Sequence, residues 1–471
     1  AAPRNTPIRI RSGRSQVATG WRRTFSALTE RDFAWYFVGN MAFFTAMGMQ
    51  FLLRGFLAFE LTDTAAALGY VSASIAVPLL VVSPIGGTVA DRVNKRTLLI
   101  MTQSVAAAAS AVTAFLILTD QIVFWHLLAV SLVTGIVFSF NMPARQALVP
   151  QLVPRHKLMN AISLQMGGQN ATRILAPAIA GVLIAPLGIG WVYVVTTMLF
   201  VVATASEFRL PVHGMVNPRE RRPFLDDFVG GFQYILGQRT LALLLALGLV
   251  FPLFAFPLQQ MLPVFAEDVF HVGAGGLGAL SAASGVGGLL GAMVAANLDA
   301  VRHKGRLMFV GGLWLGGLFV AFALTPHFLP ALLLLAIGNV GGMVFQTTNN
   351  TVIQAGLPAA VRGRVMSVMM MSFGLMPLGT VPVTIAADHI GASWAVVGSS
   401  VALLVTMVAF YAWSPRLRHL TVDALPQADL SPVEAARLVA EGHLTQAEAD
   451  QQSGQVSAPA PAGPADPPAT P

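Results

Sequence analysis

Twelve stretches of mostly apolar residues run through this chain, each close to or above the roughly 20 residues that carry an α-helix across the hydrocarbon core of a bilayer. They fall at about 33–58, 65–89, 97–119, 123–143, 160–186, 190–208, 239–265, 274–297, 307–325, 328–351, 365–387 and 393–413. In lipid a backbone must satisfy its own hydrogen bonds, so segments of this length are helices. The gaps are short except for Arg209 to Gln238, which divides the chain six and six. Composition agrees: 55% of residues are hydrophobic and 10% charged, against roughly 25% charged in a soluble domain. The fold class predicted is an all-α polytopic membrane protein, with twelve transmembrane helices in two six-helix bundles. The expected divisions are a basic arm (1–32), a first bundle (33–208), a central loop (209–238), a second bundle (239–413), a tail (414–452) and a disordered Ala/Pro/Gly-rich end (453–471).

Of the 28 lysines and arginines, all but Arg54 and Arg173 fall on one side of this arrangement. The opposite loops carry Glu60, Asp63, Asp120, Glu267, Asp268 and Asp388. Cytoplasmic loops retain positive charge, so both termini are expected in the cytoplasm and the chain in the cell (inner) membrane. The net charge of +7 sits in short runs between apolar stretches, which reads as membrane orientation and not as nucleic-acid binding. The arm has no apolar core of signal-peptide length and reads as cytoplasmic. With no cysteine in the chain, disulfides, thiolate metal sites and cysteine nucleophiles are excluded. The nine histidines are scattered. No catalytic triad or metal-ligand cluster is visible, so neither enzymatic activity nor a cofactor or metal is expected.

The two halves look like repeats. Gln146-Ala-Leu-Val-Pro-Gln-Leu-Val-Pro154 joins the fourth and fifth helices, and Asn350-Thr-Val-Ile-Gln-Ala-Gly-Leu-Pro358 the tenth and eleventh. The same spacing relates Gly87 to Gly291. Parallel six-helix repeats are one known transporter architecture, with the substrate bound between them at the midplane. Within the central loop, Leu225, Phe228, Phe232 and Leu236 recur at helical spacing, which predicts an interfacial helix strapping the halves together. In the tail, Ser431-Pro-Val-Glu434 and Thr445-Gln-Ala-Glu448 are capping boxes separated by Gly442. That pattern predicts a small helical hairpin at 431–452, which resembles short C-terminal oligomerisation motifs and implies self-association.

Between the second and third helices stands Gly86-Gly87-Thr-Val-Ala-Asp91-Arg92-Val-Asn94-Lys95-Arg96. This segment resembles the signature loop of the major facilitator superfamily. The resemblance implies a gating role for Gly87, Asp91, Arg92, Lys95 and Arg96, with Asp91 holding the halves together in the outward-facing state through a helix-dipole contact. Asn94 replaces the family's second glycine and is read as tolerating a left-handed turn. A narrower resemblance rests on Arg31-Asp-Phe-Ala-Trp-Tyr-Phe, Asn141-Met-Pro-Ala-Arg-Gln-Ala-Leu-Val-Pro150, Arg173-Ile-Leu-Ala-Pro-Ala-Ile-Ala-Gly181 and Arg362-Gly-Arg-Val-Met-Ser367. These look like the branch of enterobactin exporters and macrolide efflux pumps. Arg173, Pro177 and Gly181 are similar to the Gly-Pro antiporter motif of exporters, with Ala176 and Ala180 where glycine is usual.

Arg173 sits near the middle of the fifth helix, where a bare cation costs about 2.5 to 3.5 kcal/mol on insertion scales. Gln165, Gln169 and Arg173 share one helical face, as do Asn40, Met47, Gln50 and Arg54 in the first helix and Asn339, Gln346 and Asn350 in the tenth; the seventh offers Gln259 and Gln260. Two readings stay open: these groups line a polar, water-accessible cavity for a largely apolar substrate, or they tie helices together. Arg54 lies nearer the outer surface, where snorkelling to headgroups competes with a functional role. No nucleotide-binding loop is present, so a proton gradient is the expected energy source. The candidate coupling groups are Glu60 and Asp388, both near the outer surface. The reading is an exporter of amphipathic small molecules working by alternating access; a nutrient importer of the same fold and a non-transporting sensor acting through the tail are the alternatives.

Overall fold

The computed structural model describes residues 25–210, 232–298, 301–357, 365, 369, 373–418 and 420. The long helices, in chain order, are α1 (Arg31–Thr62), α2 (Ala66–Arg92), α3 (Lys95–Leu118), α4 (Phe124–Leu152), α5 (Leu158–Leu187) and α6 (Ile189–Glu207). The second half contains α7 (Arg239–Val269), α8 (Gly273–Asn297), α9 (Lys304–Leu324), α10 (Phe328–Ala355), α11 (Met376–Ile390) and α12 (Ala392–Trp413). Eleven of these, among the described residues, are long and apolar enough to span a bilayer. The remaining one, α11, has 15 described residues; the stretch before it lies mostly outside the described residues. Large apolar side chains face outward all round the bundle, among them Val81, Phe115, Leu329 and Val405, each more than 60% exposed. Hydrocarbon, not water, is the solvent that suits such a surface.

Prolines and glycines shape the helices. Pro143 inside α4 has no N–H for the carbonyl of Ser139 one turn earlier. There Gly86 of α2 lies so close that a Cβ would come within 2.2 Å of that oxygen. In the second half Gly287 of α8 meets the carbonyl of Ala336 in the same way. Small residues let membrane helices approach backbone to backbone. Helix α7 carries two π-turns, Phe251–Ala255 and Phe265–Val269.

Packing repeats from half to half. The pairs α1–α5, α1–α6, α2–α4, α3–α4 and α3–α6 have counterparts in α7–α11, α7–α12, α8–α10, α9–α10 and α9–α12. The halves meet through α5–α8, α2–α11 and α1–α7, and shifting each helix number by six exchanges α5–α8 with α2–α11. This is the parallel-repeat arrangement expected from the sequence.

The halves join at the end of the bundle remote from the termini. One continuous core includes Leu57, Ala65, Leu68, Ala180 and Ile184 of the first half with Leu262, Leu277 and Ala387 of the second. The core nearer the termini, with Phe33, Tyr36, Leu99 and Leu148, is confined to the first half. At the remote end a Cβ on Gly181 would lie 2.1 Å from Cα of Gly278, and one on Gly69 would lie 2.4 Å from Oγ1 of Thr384. The Asp388 carboxylate accepts hydrogen bonds from the backbone N–H groups of Ala65 (2.6 Å) and Ala66 (3.0 Å), which open α2.

In the central loop, residues 232–237 are helical, with Ile235 buried and Phe232 and Leu236 exposed. Leu225 and Phe228, the arm before Phe25, and the tail at 431–452 lie outside the described residues.

Candidate functional site

Between the halves lies a cavity of about 580 Å³. Helix α1 lines it with Phe44, Met47, Gly48, Phe51, Leu52 and Gly55, a stripe at helical spacing. From α5 come Gln169, Asn170, Thr172, Arg173 and Pro177; α7 adds Phe251, Phe256, Gln259 and Gln260; α8 and α10 add Ser281, Ser284, Asn339, Met343 and Gln346. The walls are aromatic and thioether surface with polar groups set into them, the usual character of a small-molecule site.

The candidate residues from the sequence divide here. Gln169, Arg173, Gln259, Gln260, Asn339 and Gln346 line the cavity. Asn40, Gln50, Gln165 and Asn350 are not among its walls. Asn40 is fully buried and accepts a hydrogen bond from Nη1 of Arg145 at 2.9 Å. Gln50 reaches Oγ1 of Thr196 (3.4 Å) and Arg54. Gln165 is buried beside Tyr36. The stripe Asn40–Met47–Gln50–Arg54 straddles the boundary between the cavity face of α1 and its packed face; periodicity shows that residues share a side but not what that side meets. Arg54 does not snorkel: it is 3% exposed and donates to Thr134 of α4 (2.7 Å) as well as to Gln50.

Within the cavity wall, Gln259, Ser284 and Asn339 bond to one another across three helices at 3.1 to 3.3 Å, so they serve as interhelical ties. Among the described residues, the side chains of Gln169, Arg173, Gln260 and Gln346 have no hydrogen-bond partner and remain available to a ligand. Pro177 is part of the wall, whereas Gly181, one turn further, packs against Gly278.

The loop between α2 and α3 behaves differently from the expectation at one position. Asn94 has φ −59° and is not left-handed; its Oδ1 accepts from the N–H groups of Arg96 (3.0 Å) and Thr97 (3.4 Å), capping α3. An unpaired helix start needs an acceptor, and asparagine is among the best. Arg96 donates to the carbonyls of Glu207 (3.1 Å) and Phe208 (2.7 Å), tying α3 to the end of α6. Lys95 is buried. Gly87, Asp91 and Arg92 fall in the last turns of α2, and their surroundings lie outside the described residues.

A second polar assembly was not foreseen. Helix α4 continues to Leu152, so Arg145 is not a loop cation but a side chain 1% exposed. It donates to Asn141 (2.8 Å) and Asn40, stacks over Phe43 at 4.4 Å, and lies 3.9 Å from the fully buried Glu207. Asn141 donates to Thr102, Gln103 to Glu207, and the Tyr36 hydroxyl to the carbonyl of Arg145. The i, i+4 spacing of Asn141 and Arg145, with an acid ending α6, was the signal available in the sequence. Of the proposed coupling groups, Asp388 is engaged at the start of α2 and Glu60 is exposed near the remote end of α1; neither lines the cavity.

The sequence pattern of the transmembrane secretion effector family, a branch of the major facilitator superfamily, matches residues 22–455. The chain belongs to this family. It is 24% identical over 356 residues to the staphyloferrin A transporter of Staphylococcus aureus, covering 73% of this chain and 87% of that one. Macrolide efflux protein A of Streptococcus pyogenes is 23% identical over 74% of this chain and 88% of its own. Enterobactin exporter EntS of Shigella boydii is 24% identical over 60% and 67%. In fold, the chain is similar to a bacterial homolog of the human lysosomal transporter Spinster in an inward-facing, unoccupied conformation, with TM-score 0.65, 15% identity and coverage of 84% and 98%. It is also similar to the nucleoside transporter NupG, with TM-score 0.64, 13% identity and coverage of 81% and 99%. The protein is a multi-pass membrane transporter of a small molecule and not an enzyme.

Proposed function

We propose that the protein exports amphipathic small molecules from the cytoplasm by alternating access, with both termini cytoplasmic in the cell (inner) membrane and a proton gradient as the energy source. The observation that carries this reading is the central cavity: aromatic walls for an apolar body, unpartnered polar groups for its polar end, and a seal between the halves at the end remote from the termini. Closure there corresponds to the state in which an exporter would load from the cytoplasmic side. Relatives named for staphyloferrin A transport, enterobactin export and macrolide efflux favour export over uptake. Asp91 is the candidate for closing the cytoplasmic end in the opposite state. Glu60 and Asp388 stand at the sealed end, where a proton arriving from outside meets them first, and the tail at 431–452 is the candidate for self-association.

The test is reconstitution in liposomes with an imposed pH gradient, following lipophilic dyes, macrolides and siderophores. Gradient-dependent movement out of the cytoplasm-equivalent side is expected. Movement that ignores the gradient would remove proton coupling, and accumulation in the opposite direction would replace export with uptake. Asp91→Asn is expected to slow flux without changing insertion; full flux in that variant would remove its gating role.

A further inference from the structure

We propose that the transported molecule is an amphipathic anion whose negative group is held by Arg173. This rests on the transport reading and names the chemistry of its substrate. Among the described residues lining the cavity, Arg173 is the single ionisable side chain. Among the described residues it has no hydrogen-bond or ion-pair partner and is exposed at the cavity, in contrast to the two guanidinium groups that are buried in the membrane-spanning helices of this half. Arg54 is engaged by Gln50 and Thr134, and Arg145 by Asn40, Asn141 and Glu207. The exposed guanidinium is open to water when no ligand is bound; a ligand whose apolar body displaces that water leaves the charge costly unless the ligand itself pairs it. The nearest acid on α1, Glu60, lies five residues beyond the last cavity residue Gly55, about 7.5 Å further along the helix axis, and is exposed.

The surroundings fit a carboxylate, sulfonate or phosphate on an aromatic or aliphatic body. Guanidinium offers a planar fork of donors that a carboxylate accepts in pairs. Gln169 stands one turn before Arg173 on the same face, and Gln260 and Gln346 face the cavity from the other half with free amides, so further donors can converge on the same anion. Phe44, Phe51, Phe251 and Phe256 supply apolar surface for the remainder. A cationic amphiphile would meet Arg173 with no carboxylate to offset the repulsion.

The experiment compares three probes of one skeleton, 2-naphthoate, 2-naphthamide and (2-naphthyl)methylammonium, by calorimetric titration of the full-length protein in lipid nanodiscs, with empty nanodiscs subtracted. A charge-assisted pair makes naphthoate the tightest by about tenfold to about a hundredfold. Arg173→Gln is expected to erase that margin while still binding the amide, and Arg173→Lys to retain part of it. Equal binding of the three, tighter binding of the cation, or no binding of naphthoate by the wild-type protein overturns the proposal, as does a full margin in Arg173→Gln. The ranking is read on the wild-type protein, so it decides the matter even where a variant does not fold. Flux separates the two readings: binding of naphthoate through Arg173 without any transport keeps the anion site and removes the export function, whereas gradient-driven export confined to neutral or cationic compounds does the reverse.

Discussion

At the scale of single residues, charges within the membrane-spanning helices fall into a buried, paired kind and a cavity-exposed, unpaired kind, and the two kinds predict different phenotypes. Arg145 and Glu207 are almost fully buried and hold one another at 3.9 Å within a web of amides. Removing one partner from such a pair typically costs about 3–5 kcal/mol because the other charge is left stranded. Glu207→Ala is therefore expected to lower the thermal aggregation temperature followed by fluorescence-detected gel filtration, and Arg145→Met combined with Glu207→Met to recover much of the loss. A single variant as stable as the parent would show that water or lipid headgroups reach the pair. Arg173 is unpaired, so its loss should leave the same melting measurement nearly unchanged. The sequence made Arg173 and Gln169 legible as cavity-lining residues because polar groups one turn apart in an apolar helix stand out. It left Asn40 and Gln50 ambiguous, since their true partners, Arg145 and Thr196, are 105 and 146 residues away.

For whole elements, hydropathy located the helices well and their ends poorly. Helix α4 was expected at 123–143 and runs to Leu152, and α1 extends from Arg31 to Thr62 beyond an expected 33–58. An apolar window marks the part of a helix within hydrocarbon, whereas the helix itself continues into the interface, where polar residues and prolines are tolerated. Contacts between elements were less legible still. The meeting of α5 and α8 at Gly181 and Gly278 leaves no room for a methyl group. Gly278→Ala is therefore expected to act as a wedge that loosens the remote seal. Since the native chain has no cysteine, a single one introduced at Ser281 becomes the sole thiol. Its alkylation by a membrane-impermeant maleimide added at the sealed side should accelerate several-fold in the wedge variant; an unchanged rate would place the moving seam elsewhere.

Over the whole molecule, the arrangement of halves follows from the repeat, which was visible as two matched connectors in the sequence. The side on which they close was not visible, because it depends on packing between segments far apart in sequence, up to the 323 residues between Ala65 and Asp388. The Asp388 carboxylate on the N–H groups of Ala65 and Ala66 links α11 to α2 across that closure. A carboxylate at a helix N-terminus contributes roughly 0.3–2 kcal/mol, enough to change the ratio of two conformations by up to about thirtyfold. Asp388→Asn is thus expected to raise the population open at the remote end, measured as a longer spin-label distance between the starts of α2 and α8. An unchanged distance distribution would relieve Asp388 of any part in the closure.

The remote seam includes glycine positions with no room for a methyl group, while several polar side chains of the cavity have no hydrogen-bond partner among the described residues. Substitution at Gly69, Gly181 or Gly278 disturbs the machine, but exchange of Gln169, Gln260 or Gln346 changes what it grips without loosening how it moves. Such a division lets the cargo diverge between descendants of one ancestral carrier while the motion is inherited intact.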